Sequence, residues 1–167
     1  TATVSVTVTP QNDAPVAVAD SGSVNEGGNV IVDLAANDTD ADDGLDLTSL
    51  AIVAAPANGL LAVNADGTVT YTHDGSETTA DSFTYTIEDL GGLVSNTATV
   101  SVTVTPQNDA PVAAADSGSV NEGGNVIIDL AANDTDADDG LDLASLAIVA
   151  APANGLLVVN ADGTVTY

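Results

Sequence analysis

Thr97-Ala-Thr-Val-Ser-Val-Thr-Val-Thr105 alternates without a break, with Ala98, Val100, Val102 and Val104 on one face and hydroxyls on the other. A period of two with one apolar face is the mark of a half-buried β-strand. Ser82-Phe-Thr-Tyr-Thr-Ile87 repeats the pattern with Phe83, Tyr85 and Ile87 inward. Residues 30–34, 50–54, 59–63 and 68–72 read as further strands, and 16–24 as a weaker one. β-Branched residues suit a pleated, half-buried surface. Turn residues separate the runs: Asn58-Gly59, which reads as a hairpin turn, then Asn64-Ala-Asp-Gly67 and Gly91-Gly92. The Ala stretches carry no helix, because Gly, Asp and Pro interrupt each one. About seven short strands without a helical period predict an all-β, antiparallel β-sandwich. Its core should hold Val30, Val32, Leu34, Ile52, Leu60, Val69, Tyr71, Phe83, Tyr85, Ile87, Val100 and Val102.

The alternating strand occurs twice. Residues 1–71 recur as 97–167, a period of 96, and only four aligned pairs differ: Val18/Ala114, Val32/Ile128, Thr48/Ala144 and Ala62/Val158. A unit of this size is a domain and not a solenoid repeat. The chain therefore reads as a slice of a tandem array, opening on a repeat's last strand and stopping in mid-repeat at Tyr167. The boundaries expected are 1–11 for the last strand of a preceding repeat plus linker, 12–107 for a complete repeat, and 108–167 for a partial one. In the alternative phase, 72–167 is one permuted unit. Residues 1–9, with the sequence of the final strand, could complete a neighbour's open sheet by strand addition. Each linker, Thr9-Pro-Gln-Asn-Asp-Ala-Pro15 and Thr105-Pro-Gln-Asn-Asp-Ala-Pro111, carries two prolines, so it should be stiff.

Charge restricts the partners. The chain has 25 acidic residues and no Lys or Arg, for a formal net charge of −25. No basic patch can form, which argues against nucleic acid and against anionic membrane surfaces as partners. With 44% hydrophobic residues it is not an acidic disordered tail. Without Cys there is no thiol nucleophile, disulfide or Cys-ligated zinc. No run approaches 18 apolar residues, so no membrane-spanning helix is expected. His73, the only histidine, lies in a turn beside Asp74 and reads as a surface residue whose replacement by Ala would change stability by no more than about 0.5 kcal/mol. No Gly-x-Ser-x-Gly elbow occurs, and the few aromatics take core positions, leaving no sugar platform. The chain is expected not to be an enzyme.

Five carboxylates fall in nine residues, Asp38, Asp40, Asp42, Asp43 and Asp46, and their copies are Asp134, Asp136, Asp138, Asp139 and Asp142. Such a cluster is either a solvated acidic loop or a metal site. Hard oxygen ligands without His or Cys select calcium. The spacing is not that of an EF-hand, because Gly44 falls one place late and no Glu stands at the twelfth position.

The Gln-Asn-Asp-Ala-Pro linker resembles the Asp-x-Asn-Asp-Asn-x-Pro linker of the cadherin family. Asn25-Glu26-Gly27 stands where that family has Pro-Glu-Asn, Ala36-Asn-Asp-Thr-Asp40 resembles Ala-x-Asp-x-Asp, and Glu88-Asp89-Leu-Gly-Gly92 resembles x-Asp-x-Gly-Gly. The likeness spans the whole unit and is nearest to the bacterial cadherin-like and VCBS-type repeats of giant RTX-type surface adhesins. The family's mid-repeat Leu-Asp-Arg-Glu is missing, with only Asp74 and Glu77 nearby, and the linker's last Asn is Ala14 or Ala110. The resemblance implies tandem immunoglobulin/cadherin-like sandwiches with Ca2+ at each junction. The ligands it implies at the first junction are Asn12, Asp13, Asp38, Asp40 and Asp89, with Asp42 beside them and Asp20 in reach. At the second they are Asn108, Asp109, Asp134, Asp136 and Asp138, with Asp116 in reach. Glu26 of the preceding repeat joins that set, or Glu122 if the phase differs. It further implies an extracellular, cell-surface extender exported by a type I system, whose partners are calcium and neighbouring repeats. A carbohydrate- or protein-binding sandwich is the alternative. Near-identical copies argue against that diversified recognition, and the lack of Trp argues against homophilic adhesion.

Overall fold

The computed structural model describes all 167 residues, which divide into two compact units, Thr1–Gln107 and Asn108–Tyr167. The first unit holds seven strands: β1 (Asp20–Asn25), β2 (Asn29–Asp33), β3 (Leu45–Ala54), β4 (Gly59–Val63), β5 (Thr68–His73), β6 (Ala80–Asp89) and β7 (Ala98–Thr105). They form a four-stranded sheet in the order β1-β7-β6-β3 and a three-stranded sheet in the order β2-β5-β4. The alternating stretches lie where expected, and β7 is buried at Ala98, Val100, Val102 and Val104 and exposed between them. Both inner faces meet in one core of Val32, Leu34, Val69, Tyr71, Phe83, Tyr85 and Ile87 with the β7 valines. Each large side chain buried there contributes roughly 1.5–3 kcal/mol.

The structure corrects the sequence reading at five points. The sandwich is not wholly antiparallel, because β1 runs parallel to β7 from Asp20↔Val100 to Asn25↔Thr105. A parallel pair needs a long crossover, and the remaining five strands supply it. Second, the weak strand reduces to β1, preceded by a single bridge between Val16 and Thr39. Third, Asn58-Gly59 closes no hairpin, since β3 and β4 lie in different sheets. Fourth, Leu60 is 77% exposed, and Leu61 packs on the core instead. In two adjacent leucines the alternation does not say which faces in. Register decides, setting Leu61 opposite Tyr71 and Leu60 opposite Thr72.

The fifth correction is His73, which ends β5 at 3% exposure. Its Nδ1 accepts from the backbone N–H groups of Gly27 and Gly75, both at 3.2 Å, so Nε2 carries the proton and donates to Thr78 Oγ1 at 2.9 Å. The ring thus ties the β1–β2 turn to the loop after β5.

The second unit contains a sheet in the order β8-β10-β9, from Ile127–Asp129, Thr164–Thr166 and Val158–Val159, with a 3-10 turn at Leu143–Ser145. This repeats the β2-β5-β4 sheet, with Ile128 opposite Val165 where Val32 faces Val69. Residues 116–121 and 141–150, the copies of β1 and β3, form no strands. In the first unit β1 pairs with β7 and β3 with β6, and residues 108–167 hold no copies of those two partners.

Replacing His73 with Ala should cost about 1–3 kcal/mol, because it removes the acceptor of two backbone donors and opens a cavity. Chemical denaturation of the two proteins checks this, with an unchanged midpoint as the contrary result.

Candidate metal centre

The β3–β6 pairing builds the centre. Leu45 pairs with Asp89 and Asp46 with Glu88, which brings the loop before β3 against the end of β6. Leu90 N donates to Gly44 O at 3.0 Å, locking the two segments together. Within the loop, Asp40 Oδ1 accepts the N–H groups of Asp42, Asp43 and Gly44, each at 2.9 Å. Gly44 closes this turn at φ 90°, a left-handed conformation that suits glycine. The other Asp40 oxygen, Oδ2, is buried without a hydrogen-bond partner.

Asp40, Asp43 and Asp89 each place a carboxylate oxygen within 4.8 Å of the other two. Asp89 is buried. Its Oδ1 accepts Leu93 N at 2.8 Å, and its Oδ2 accepts the Asn12 amide at 3.0 Å. Asp13 N donates to Asp42 Oδ2 at 2.8 Å, so the linker is held against the loop. A Cβ built on Gly91 would run into the Asn12 amide and lie 3.0 Å from Asp43 Oδ2, so this cradle has no room for a side chain there. The N–H of Gly44, then that of Asp42, hold the Asp40 carboxyl below its usual range. Desolvation, followed by the charges of Asp89, Asp40 and Asp42, pushes Asp43 up. Three carboxylates, with no Lys, Arg, His or Cys among them, form a hard oxygen cradle suited to calcium, and the Asn12 amide braces Asp89 through its N–H.

The expected ligands separate into distinct places. Asn12, Asp13, Asp40, Asp42 and Asp89 gather here, together with Asp43, which the sequence reading left out of its ligand set. The positive-φ Gly44 that turns the chain after Asp43 was the available signal. Asp20 and Asp38 stand elsewhere, around the Tyr85 hydroxyl. That oxygen has Asp20 Oδ2, both Asp38 oxygens and Leu34 O at 3.0 Å and Val18 O at 3.1 Å. Asp38 Oδ1 also accepts Val18 N at 2.7 Å. One phenolic proton cannot serve so many acceptors, and burial pushes both carboxyls up, with the Asp38 charge adding to the rise at Asp20. Glu26 lies where the chain leaves β7, its N–H donating to Thr105 O at 2.9 Å and its Oε2 accepting Gln107 N at 3.1 Å.

In the second unit Asp136 Oδ1 accepts from Asp138, Asp139 and Gly140 N, Asp138 Oδ2 accepts Asp109 N, and Asp134 Oδ1 accepts Ala114 N. The turn is thus rebuilt, without a counterpart of Asp89. Asn108 turns its amide to Asp109 O, and Asp116 and Glu122 are exposed.

Asp81 shows the opposite balance to Asp20. Burial raises its carboxyl, but the N–H groups of Asn58, Ala57 and Ser82 and the Tyr71 hydroxyl outweigh that and hold it low. An acid held low stabilises the fold above its unfolded pKa and loses that contribution as pH falls; an acid pushed up behaves in reverse. Asp81→Asn should therefore cost about 1–3 kcal/mol at neutral pH, while Asp20→Asn is neutral or stabilising. Urea titrations at neutral pH check the pair, and equal losses in both would contradict the assignment.

Residues 12–106 match the family model of the bacterial cadherin-like domain, and residues 108–167 match that of the bacterial Ig domain. Residues 12–71 and 108–167 are copies with four differences, so the two matches fall on near-identical sequence. No curated protein matches the chain. Domains of these two kinds are typically non-enzymatic repeat modules of extracellular surface proteins, and no helix here is long and apolar enough to cross a membrane. The cadherin-like match covers more than half of the chain and all seven strands of the first sandwich, and the chain belongs to the family of bacterial cadherin-like domains.

Proposed function

We propose that the chain is part of a tandem extender of a bacterial surface adhesin, with residues 12–107 as one repeat, stiffened by calcium bound where each linker meets its sandwich. The observation that carries this reading is the buried Asp40 Oδ2, which has no partner and belongs to the group with Asp43 and Asp89. Burying an unpaired anionic oxygen is costly, and a cation removes that cost. Residues 12–107 carry 15 of the 25 carboxylates, so self-repulsion opposes compaction everywhere. An ion on Asp40, Asp43 and Asp89, with Asn12 and Asp42 in reach, neutralises the densest cluster and fixes the linker to the sandwich. Waters complete the six to eight ligands that calcium takes. Orientation between successive repeats then depends on the ion, and the near-identity of the copies suits a spacer whose length matters more than any one unit.

Calcium at about 100 times its dissociation constant should stabilise the folded unit by about 2.7 kcal/mol, the amount expected for a ligand that binds only the native state. Chelator should lower the melting temperature and broaden the end-to-end distance distribution in small-angle scattering. Asp89→Asn and Gly91→Ala should each blunt that calcium response while the β spectrum is kept. Magnesium should substitute poorly, because it demands octahedral geometry and holds its waters. The response should fade on acidification, with Asp43 taking a proton before Asp40. A melting curve indifferent to calcium and chelator would leave only a solvated acidic loop.

A further inference from the structure

An edge strand offers unpaired N–H and C=O groups to any chain that can extend the sheet. The first sandwich has four such strands, β1 and β3 in the larger sheet and β2 and β4 in the smaller. Three of them carry a carboxylate: Asp20 opens β1, Asp33 closes β2 and Asp46 lies in β3. The β3 ladder is also broken by register shifts, between Asp46 and Ala51 and between Ile52 and Ala54. Charges and bulges of this kind protect an edge from a second chain. β4, Gly59-Leu-Leu-Ala-Val63, has neither. Its register against β5 runs unbroken from Gly59↔His73 to Val63↔Val69, and it lies within a stretch, residues 47–65, that holds no charged residue.

The bonds of β4 define its open side. Asp74 N donates to Asn58 O at 3.1 Å and Asn64 N to Thr68 O at 2.9 Å, so the even-numbered residues bond toward β5. Antiparallel alternation then turns the N–H and C=O groups of Gly59, Leu61 and Val63 away from the sheet. The side chains of Leu60 and Ala62 are exposed on its outer face, and Val63 is 45% exposed. We propose that β4 is a self-association site, where a second copy of this chain adds its own β4 antiparallel about a two-fold axis at Leu61. Leu61 then opposes its own counterpart, Gly59 opposes Val63, and Leu60 opposes Ala62. The outward groups of Gly59, Leu61 and Val63 bond one another, and two three-stranded sheets become one of six strands.

Charge selects the second copy as the occupant. With a net charge of −25, two copies repel over most approaches, and an edge that carries a carboxylate would meet its like across the new ladder. Between two β4 strands the ladder holds no charge, and Leu60 and Ala62 bury apolar surface against each other. A basic partner would be drawn to the acidic loops and not to this strand. The main chain supplies the bonds, so the contact needs no Trp anchor. It is isologous, and each edge is used up by the other. The second unit preserves the feature: β9 again ends its sheet, and the Ala62/Val158 difference leaves it uncharged and more apolar.

Sedimentation of the 167-residue chain from micromolar to millimolar concentration, at low and high salt, tests the proposal against the double variant Leu60→Asp, Leu156→Asp. The two substitutions set a carboxylate on the outer face of β4 and of its copy, at leucines exposed enough for the β spectrum to be kept. The whole chain should gain mass with concentration, more so in salt that screens its charge, and the double variant should remain monomeric. Cysteine variants isolate the register, because the chain has no cysteine of its own. On oxidation, Leu60→Cys mixed with Ala62→Cys should give a heterodimer well beyond its statistical share over the two homodimers. A whole chain that stays monomeric overturns the proposal, as does a double variant that associates equally or a merely statistical mixture of disulfides.

Discussion

The β6–β7 pair is the constraint on which the remaining structure depends. Residues 20–25 and 116–121 are the same sequence, and 45–54 differs from 141–150 only at Thr48/Ala144. The first-unit segments are strands and the second-unit segments are not. Intrinsic propensity cannot explain that difference, since it is the same in both. What differs is the presence of β7 beside β1 and of β6 beside β3. A strand is stabilised by its cross-strand partners and by burial of one face, and without them the same residues remain irregular. The three-stranded β2-β5-β4 sheet needs neither partner, and it recurs as β8-β10-β9.

Charge is managed by the same backbone. With no Lys or Arg in the chain, the carboxylates find their donors in main-chain N–H groups, hydroxyls and, at Asp89, the Asn12 amide. Asp46, Asp66 and Asp74 each cap a turn through the residue two places on, Thr48, Thr68 or Ser76. Asp81 gathers four donors and holds the connection between β3 and β4. These groups sit comfortably as anions. Asp20 and Asp38 around Tyr85, and Asp43 beside Asp89, are pushed the other way. The chain thus separates carboxylates that complete its turns from carboxylates that call for a proton or a cation.

Much of this was legible in the residues. Period-two alternation marked β6 and β7, Asn64-Ala-Asp-Gly67 marked the turn between β4 and β5, and the 96-residue recurrence marked the repeat. Where two readings share one local pattern, sequence could not choose. Leu60-Leu61 fits either face until β5 sets the register. His73 sits beside an Asp in a polar stretch, and its burial depends on Gly27, 46 residues away. The acidic run was visible as a cluster, but its division was not. Asp38 and Asp40 are two apart, yet Asp38 meets the Tyr85 hydroxyl while Asp40 groups with Asp43 and Asp89, a division that nothing in the local pattern marks.

That division ties the proposed ion to closure of the sandwich. The Asp40 turn is local and forms in both copies, because its bonds span at most four residues. Asp89 joins it only through the β3–β6 ladder, and Asn12 only through the bond it makes to Asp89. A cradle assembled from three segments far apart in the chain exists only in the folded repeat, so binding free energy there is folding free energy. The local turn alone offers too few oxygens for calcium and leaves its ligands in water. The energetic coupling therefore runs from β6 to the linker: the strand that completes the sheet also presents the buried carboxylate that holds the linker in place.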